Sequence, residues 1–355
     1  MHQRFPARAT GYHGPQMKEQ PLIGLMLGDA TGIGPEIAVK LLSTVLAGGQ
    51  EAPPARLAVI GDARVLELGM RDAAIKVPYR VYPQLDQVSW PSDHIPVIDL
   101  ANLDPATVTR GEVCPESGRV CGDTLKYMID LALDGELDGI CFAPLNKAAL
   151  HSGGWHFPDE HQMFAHLTSH TGFFGEMNVI PEFATFRVTS HVALREALDM
   201  ITPERIERAL RLADATLHRM GHDRPRIGVA ALNPHCGENG LFGDEEITTI
   251  RPTVEALRAE GIDATGPISS DTIFIKAKRG DFDGVVMMYH DQGQIATKLL
   301  GFNKGVTVTA GLKTVFTTPA HGTAFDILGQ GKADPSALGQ AARLAATLAG
   351  AAARL

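Results

Sequence analysis

At 355 residues the chain is too long for one small core, and two domains are the expectation. With 44% hydrophobic and 21% charged residues its composition is ordinary for a globular protein, and no apolar run is long enough to span a bilayer. A net charge of −9 argues against non-specific nucleic-acid binding, so an anionic ligand would need a local cationic pocket.

Residues 1–20 are rich in Arg, Gln, Gly and Pro, lack the apolar centre of a secretory signal, and read as a disordered tail. Beyond them, apolar strand-like runs alternate with helical patterns, which predicts an α/β fold on a largely parallel sheet. Leu22–Leu27 reads as the first strand. Gly28-Asp29-Ala30-Thr31-Gly32-Ile33-Gly34-Pro35-Glu36 then turns into a helix from Pro35 to about Leu46, with proline where its missing N–H costs nothing. N–H groups at that helix end could receive an anion. The spacing is not GxGxxG, however, and a plain strand-to-helix turn explains the motif as well.

Leu57–Ile60 and Val97–Leu100 read as further strands, Thr124–Asp134 as an amphipathic helix, and Gly139–Phe142 as a strand leading into the loop Ala143-Pro144-Leu145-Asn146-Lys147. The four cysteines, Cys114, Cys121, Cys141 and Cys236, lack CxxC spacing and point to reduced thiols and a cytoplasmic setting. Thr202–Met220 begins with Thr-Pro-Glu, a helix-capping pattern, Glu245–Glu260 reads as a helix, and the alanine-rich stretch from Ser336 to Leu355 as another.

Three of the fourteen histidines follow apolar runs directly: His191 after Phe183–Val188, His235 after Ile227–Leu232 and His290 after Gly284–Met288. Ligand sites in open α/β sheets form where strands end. Three imidazoles meeting there could hold a divalent metal with a position left open for substrate, and Asp291 and Gln292 could orient His290. Pro319-Ala320-His321-Gly322-Thr323-Ala324-Phe325-Asp326 is a turn that could wrap an adenosine moiety, although a surface turn explains it equally well. Lys298, Lys304 and Lys313 are candidate anion receivers. From the residues alone the chain reads as a metal-using enzyme whose reaction is not specified, and a three-histidine zinc hydrolase or lyase that uses no nucleotide stays open.

Taken in order from Leu22 to about Ala346, the glycine turn, Asn233-Pro234-His235, Ser270-Asp271-Thr272 and Tyr289-His290-Asp291-Gln292-Gly293 resemble the 4-hydroxythreonine-4-phosphate dehydrogenase family of vitamin B6 biosynthesis and its paralogues. His321-Gly322-Thr323-Ala324 is similar to the coenzyme loop of the related isocitrate and isopropylmalate dehydrogenases. The resemblance implies a two-domain α/β/α subunit with the site in the interdomain cleft. Residues 21–150 with 306–355 would form one domain, and residues 151–305 a second that carries the metal histidines and the dimer interface.

The resemblance further implies a homodimer with a shared active site, in which His191, His235 and His290 bind zinc, cobalt, nickel, manganese or magnesium with ligands from both subunits. Asp271 would come from the partner chain, Lys298 and His161 would contact a small hydroxy-acid substrate, and NAD would lie along His321, Gly322, Thr323, Ala324 and Asp326. Lys298 or Asp271 would relay the protons of hydroxyl oxidation and decarboxylation. The chain departs from the family at three substrate positions. Glu160-His161-Gln162-Met163 replaces Gly-His-Thr-Glu, Thr307 replaces an asparagine, and Phe316 replaces an arginine that clamps phosphate. Those changes mark a paralogue with its own substrate: a 4-phosphoerythronate- or 4-phosphothreonate-like acid, or an aromatic cis-dihydrodiol carboxylate. The loss of arginine at Phe316 leans toward the less phosphate-dependent of these.

Overall fold

Leu22–Met26 (β1) is apolar or glycine at every position because the strand is covered on both faces, and the same is true of the later strands Gly139–Phe142, Ile227–Ala230 and Gly284–Met287. The computed structural model describes residues 20–49, 51–301 and 304–352; residues 1–19 of the expected tail lie outside them. Its strands are Arg56–Gly61 (β2), Tyr79–Val81 (β3), Ile95–Asp99 (β4), Gly139–Phe142 (β5), Gly175–Val179 (β6), Ala184–Arg187 (β7), Ile227–Ala230 (β8), Ala264–Ile268 (β9), Gly284–Met287 (β10), Val306–Ala310 (β11) and Val315–Pro319 (β12). They form one 12-stranded sheet in the order β3-β4-β2-β1-β5-β12-β11-β6-β7-β10-β8-β9.

Pairing is parallel except at the centre, where β12–β11, β11–β6 and β6–β7 are antiparallel. The hairpin joining β11 to β12 turns at Gly311 (φ +93°), where a Cβ would come within 2.6 Å of the Phe173 carbonyl oxygen. The expected α/β/α layering is present. One apolar cluster runs along a whole face of the sheet, under helices that include Gly34–Leu46, Pro203–Arg219 and Ser336–Ala352. The opposite face carries two separate clusters. One lies under the Pro115–Leu133 and Glu160–Leu167 helices, and the other under the Ser270–Lys278 and His290–Gly301 helices.

Two helices differ from the expected spans for local reasons. The helix predicted from Thr124 begins at Pro115, and its early Pro-Glu-Ser-Gly turn conceals the helical pattern. Gly118 is needed there because a Cβ would lie 2.0 Å from Ala149 of the adjoining Lys147–Ser152 helix. The helix predicted over Glu245–Glu260 opens as a π turn at Glu246–Ile250 and becomes α-helical over Arg251–Ala259, with Pro252, which has no N–H to donate, at the junction. Thr202 caps its helix as expected, accepting the Arg205 N–H at 3.4 Å. No described helix is long and apolar enough to cross a membrane, and the four cysteines are free thiols.

Candidate active site

β7, β10 and β8 are parallel neighbours, so the segments following them emerge at one edge of the sheet. The β7–β10 pairing continues through Val188 and Thr189, whose N–H groups donate to the Met287 and Met288 carbonyls, and this carries His191 to the edge. Gln292 ties the ends of β10 and β8 together. Its Oε1 accepts the Met288 N–H at 2.7 Å, and its Nε2 donates to the Ala231 carbonyl at 2.6 Å and to Ser270 Oγ at 2.9 Å. Gln292 is therefore a structural brace, whereas Asp291 does orient His290, with Oδ1 2.7 Å from its Nδ1.

His191 and His290 meet, with ring centroids 5.4 Å apart. They line a cleft of about 240 Å³ over the middle of the sheet, in the gap between the two separate apolar clusters. A larger groove of about 490 Å³ lies near Arg56 and Ile95, at the amino ends of β2 and β4, where open α/β sheets do not place their ligands. The cleft floor follows from strand alternation. Thr307 and Thr309 of β11, Glu176 and Asn178 of β6 and Thr318 of β12 face it, while Val306, Val308, Met177 and Val315 face the continuous core.

Charge in the cleft is organised around two carboxylates. Burial pushes Asp159 up, but the His191 hydrogen bond (3.0 Å), the Gln162 N–H and the nearby imidazoles outweigh it and hold the carboxyl at about 2. Burial likewise pushes Glu176 up, and the Arg187 guanidinium, 2.8 Å away, with His161 and His191 brings it down to about 2. The Asp159 hydrogen bond raises the His191 imidazole, against burial. His161 is buried, with Nδ1 2.6 Å from Thr309 Oγ1. Lys298 and Lys147 line the cleft as cations, Lys147 lying 3.2 Å from Glu160.

His191 and His290 each present Nδ1 to a carboxylate and leave Nε2 for a ligand, the arrangement that fixes histidine tautomers around divalent metals. The donor chemistry fits a metal, but one chain does not complete it. Among the described residues no group of three His, Cys, Asp or Glu side chains lies in position to hold an ion. His235 does not line the cleft. It sits in a left-handed run from His235 to Asn239, anchored by buried Glu246, whose Oε1 accepts the Leu232 and Asn233 N–H groups, both at 2.7 Å. Asp271 lies on the same side as His235: burial first, then the charges of Glu246 and Asp271, push the neighbouring Cys236 thiol up.

The His321–Asp326 turn, expected to hold the coenzyme, adjoins the same cleft. His321 and Gly322 line it, and a Cβ on Gly322 would meet nothing within 4 Å, so the backbone is approachable. Thr323 instead docks on the glycine turn, its carbonyl accepting the Ile33 N–H at 3.1 Å and its side chain leaving no room for a Cβ on Gly32. Ala324 adopts φ +44°, and the Asp326 carbonyl accepts from Gln330 Nε2 at 2.8 Å. The glycine turn itself is buried. Gly28 (φ +78°) lies against Pro144, and Asp29 accepts from Thr31 and Ser117, so this motif serves as a strand-to-helix junction.

The sequence profile of the family described as Pyridoxal phosphate biosynthetic protein PdxA matches residues 54–345. The chain belongs to this family. D-threonate 4-phosphate dehydrogenase of Cupriavidus necator is 44% identical over 330 residues, covering 93% of this chain and 97% of the relative. The crystal structure of 4-hydroxythreonine-4-phosphate dehydrogenase from Klebsiella pneumoniae superposes with a TM-score of 0.80 at 40% identity, covering 93% and 98% of the two chains. That of a terephthalate 1,2-cis-dihydrodiol dehydrogenase from Burkholderia xenovorans gives 0.64 at 29%, covering 92% and 98%.

Within this family frame, the expected substrate residues divide. His161, Thr307 and Lys298 line the cleft, whereas Gln162 is exposed and gives only its backbone N–H, to Asp159 at 2.8 Å. Phe316 requires a correction. It is 1% exposed and stacked on Phe164 at 4.2 Å, one layer beneath the cleft, and so is not among the side chains that line it. It shares a strand face with Thr318, but Phe164 of the Glu160–Leu167 helix covers it. The expected lean toward the less phosphate-dependent substrate rests on this residue, and its burial removes that support. Sequence reasoning missed Glu176, Asn178, Arg187, Asp159 and Gln294. The alternation in Gly175-Glu-Met-Asn-Val179 and Val306-Thr-Val-Thr-Ala310 is the signal that would have exposed the polar floor.

Proposed function

We propose that the chain is an NAD- and divalent-metal-dependent dehydrogenase that oxidises a hydroxyl of a small phosphorylated hydroxy acid. The observation that carries this reading is one cleft in which the His191–His290 pair, His161, Thr307 and Lys298 adjoin the His321-Gly322 turn. The names of relatives at 40–44% identity, D-threonate 4-phosphate dehydrogenases, support the phosphorylated class.

His191 and His290 would hold the metal, with His235 supplied by a second copy, because a single chain leaves His235 outside the cleft. When bound, a divalent ion lowers the pKa of a substrate hydroxyl and stabilises charge on its oxygen. Lys298 neutralises an anionic end of the substrate, and His161, held by Thr309, positions it. With Lys298 kept as the cation, Asp271 supplied by a second copy would take the hydroxyl proton; NAD, when bound, would supply the hydride acceptor, leaving a ketone. Where a carboxylate lies β to that ketone, the carbon–carbon bond breaks, CO2 leaves, and the same groups return a proton to carbon.

A screen of phosphorylated and unphosphorylated four-carbon sugar acids, following NADH with and without added divalent ion, tests the proposal. Metal-dependent reduction of NAD by a phosphorylated acid is expected. Absence of NAD binding by calorimetry, the outcome a nucleotide-free hydrolase or lyase requires, would overturn it.

A further inference from the structure

Four of the eight non-glycine residues with positive φ, among those described, stand together after β8. They are His235 (+52°), Cys236 (+56°), Glu238 (+44°) and Asn239 (+56°), with Gly237 (+74°) between them. In this conformation each side chain crowds the following carbonyl, so L-residues adopt it singly and seldom in runs. A second irregularity packs against the first, the π turn at Glu246–Ile250, and turns of that kind concentrate at functional sites.

One buried side chain joins the two. Glu246 is 0% exposed, and its Oε1 accepts the Leu232 and Asn233 N–H groups. Its Oε2 accepts Asn233 Nδ2 at 3.0 Å, a group that Glu245 Oε2 also accepts at 2.6 Å. The residue before them is fixed as well, because the Ala231 carbonyl accepts from Gln292 Nε2 at 2.6 Å and from Ser270 Oγ at 2.8 Å. Gly237 closes over the carboxylate. A Cβ there would lie 2.9 Å from Glu246 Oε2 and 2.6 Å from the Gly243 carbonyl oxygen. The root of the turn is thus held at three successive residues, Ala231, Leu232 and Asn233, and the turn leaves His235 exposed.

Strain of this kind persists only where the surroundings over-determine it, and burying a carboxylate to hold a loop is costly. The chain's own cleft draws nothing from the result, since His235 does not line it. We propose that Glu246 is a positioning residue for metal binding: its carboxylate holds the left-handed turn that aims the His235 imidazole at the His191–His290 pair of a second copy. Without that clasp the turn relaxes to ordinary backbone and carries the ring off its aim. The inference rests on the proposed reading that His235 completes the metal site, and it adds a residue that touches neither metal nor substrate.

Cobalt(II) titrated into the whole protein reports on the site twice, through its calorimetric affinity and through its visible absorption bands, which follow the ligand number and geometry around the ion. Glu246→Ala should weaken cobalt binding by about 10–100-fold, the usual effect of losing an outer partner of a metal ligand, and shift the bands toward those of His235→Ala. In a His235→Ala background the same change should have no further effect, because it acts only through that ring. Gly237→Ala, whose Cβ would displace the turn while the carboxylate stays, should repeat both results if Glu246→Ala folds poorly. Equal losses from Glu246→Ala in the native and His235→Ala backgrounds would overturn the inference, as the effect would then be one of general stability. Unchanged affinity and bands in Glu246→Ala and Gly237→Ala would overturn it too. If His235→Ala itself leaves affinity and bands as they were, it is the reading of His235 as a ligand that fails, and the inference falls with it.

Discussion

Asp159 touches neither metal nor substrate in the proposed reaction, yet it fixes the His191 ring through a 3.0 Å hydrogen bond to Nδ1. Losing such an outer partner weakens metal binding by about 10–100-fold in other histidine sites. Asp159→Asn should therefore weaken cobalt or zinc binding by that order in a calorimetric titration, while His191→Ala and His290→Ala should abolish it. An unchanged affinity in all three variants would remove this histidine pair from the metal site. At Phe316 the expectation is one of stability. Arginine there would replace a ring stacked on Phe164 and bury an unpaired charge, at a cost of roughly 3–5 kcal/mol. Phe316→Arg should lower Tm sharply and gain no activity on phosphorylated acids.

Among the elements, the short helix Ala63–Ala73 depends on Asp62, which caps it by accepting the Arg64 N–H at 2.9 Å and also accepts the Leu103 N–H at 2.8 Å. Burial pushes this carboxyl up, but the Arg64 guanidinium and the two N–H groups outweigh burial and hold it below the usual carboxylate range. Because the folded value lies below the ordinary 3.8, the stabilisation is complete above that pH and is lost as pH falls through the folded value. Asp62→Ala should cost about 1 kcal/mol near neutrality, the worth of a helix cap, and less once pH falls through the folded value of the carboxyl, as thermal melts across that range would register. Parallel strands buried on both faces were legible in the sequence because their apolar runs are continuous, and β5 matches its predicted span residue for residue. The central strands β6, β11 and β12 were not, because threonine, asparagine and glutamate alternate through them and resemble loop sequence.

On the scale of the whole molecule, one chain gathers His191, His290 and Lys298 and leaves His235 and Asp271 outside the cleft. If the site is shared between two copies, two inactive variants should rescue each other. Mixing His191→Ala with His235→Ala subunits and allowing exchange should restore about a quarter of native activity, since half the dimers would be mixed and each would hold one intact site. No recovery, with mixed dimers demonstrated by mass, would show that each chain works with its own histidines.

Read alone, the sequence determined the α/β class, the strand ends that carry His191, His235 and His290, and the motifs of the family, because burial and turn chemistry are written locally. What it did not determine was which side chains share a cleft. Phe316 was assigned to substrate by its position in a motif and lies in the core, because Phe164 of a distant helix covers it. Glu176, Asn178 and Arg187 carry no motif, and only the antiparallel pairing of β6 with β7 and β11 brings them together under the imidazoles. Contacts between segments that far apart are decided by packing the sheet, which no local pattern records.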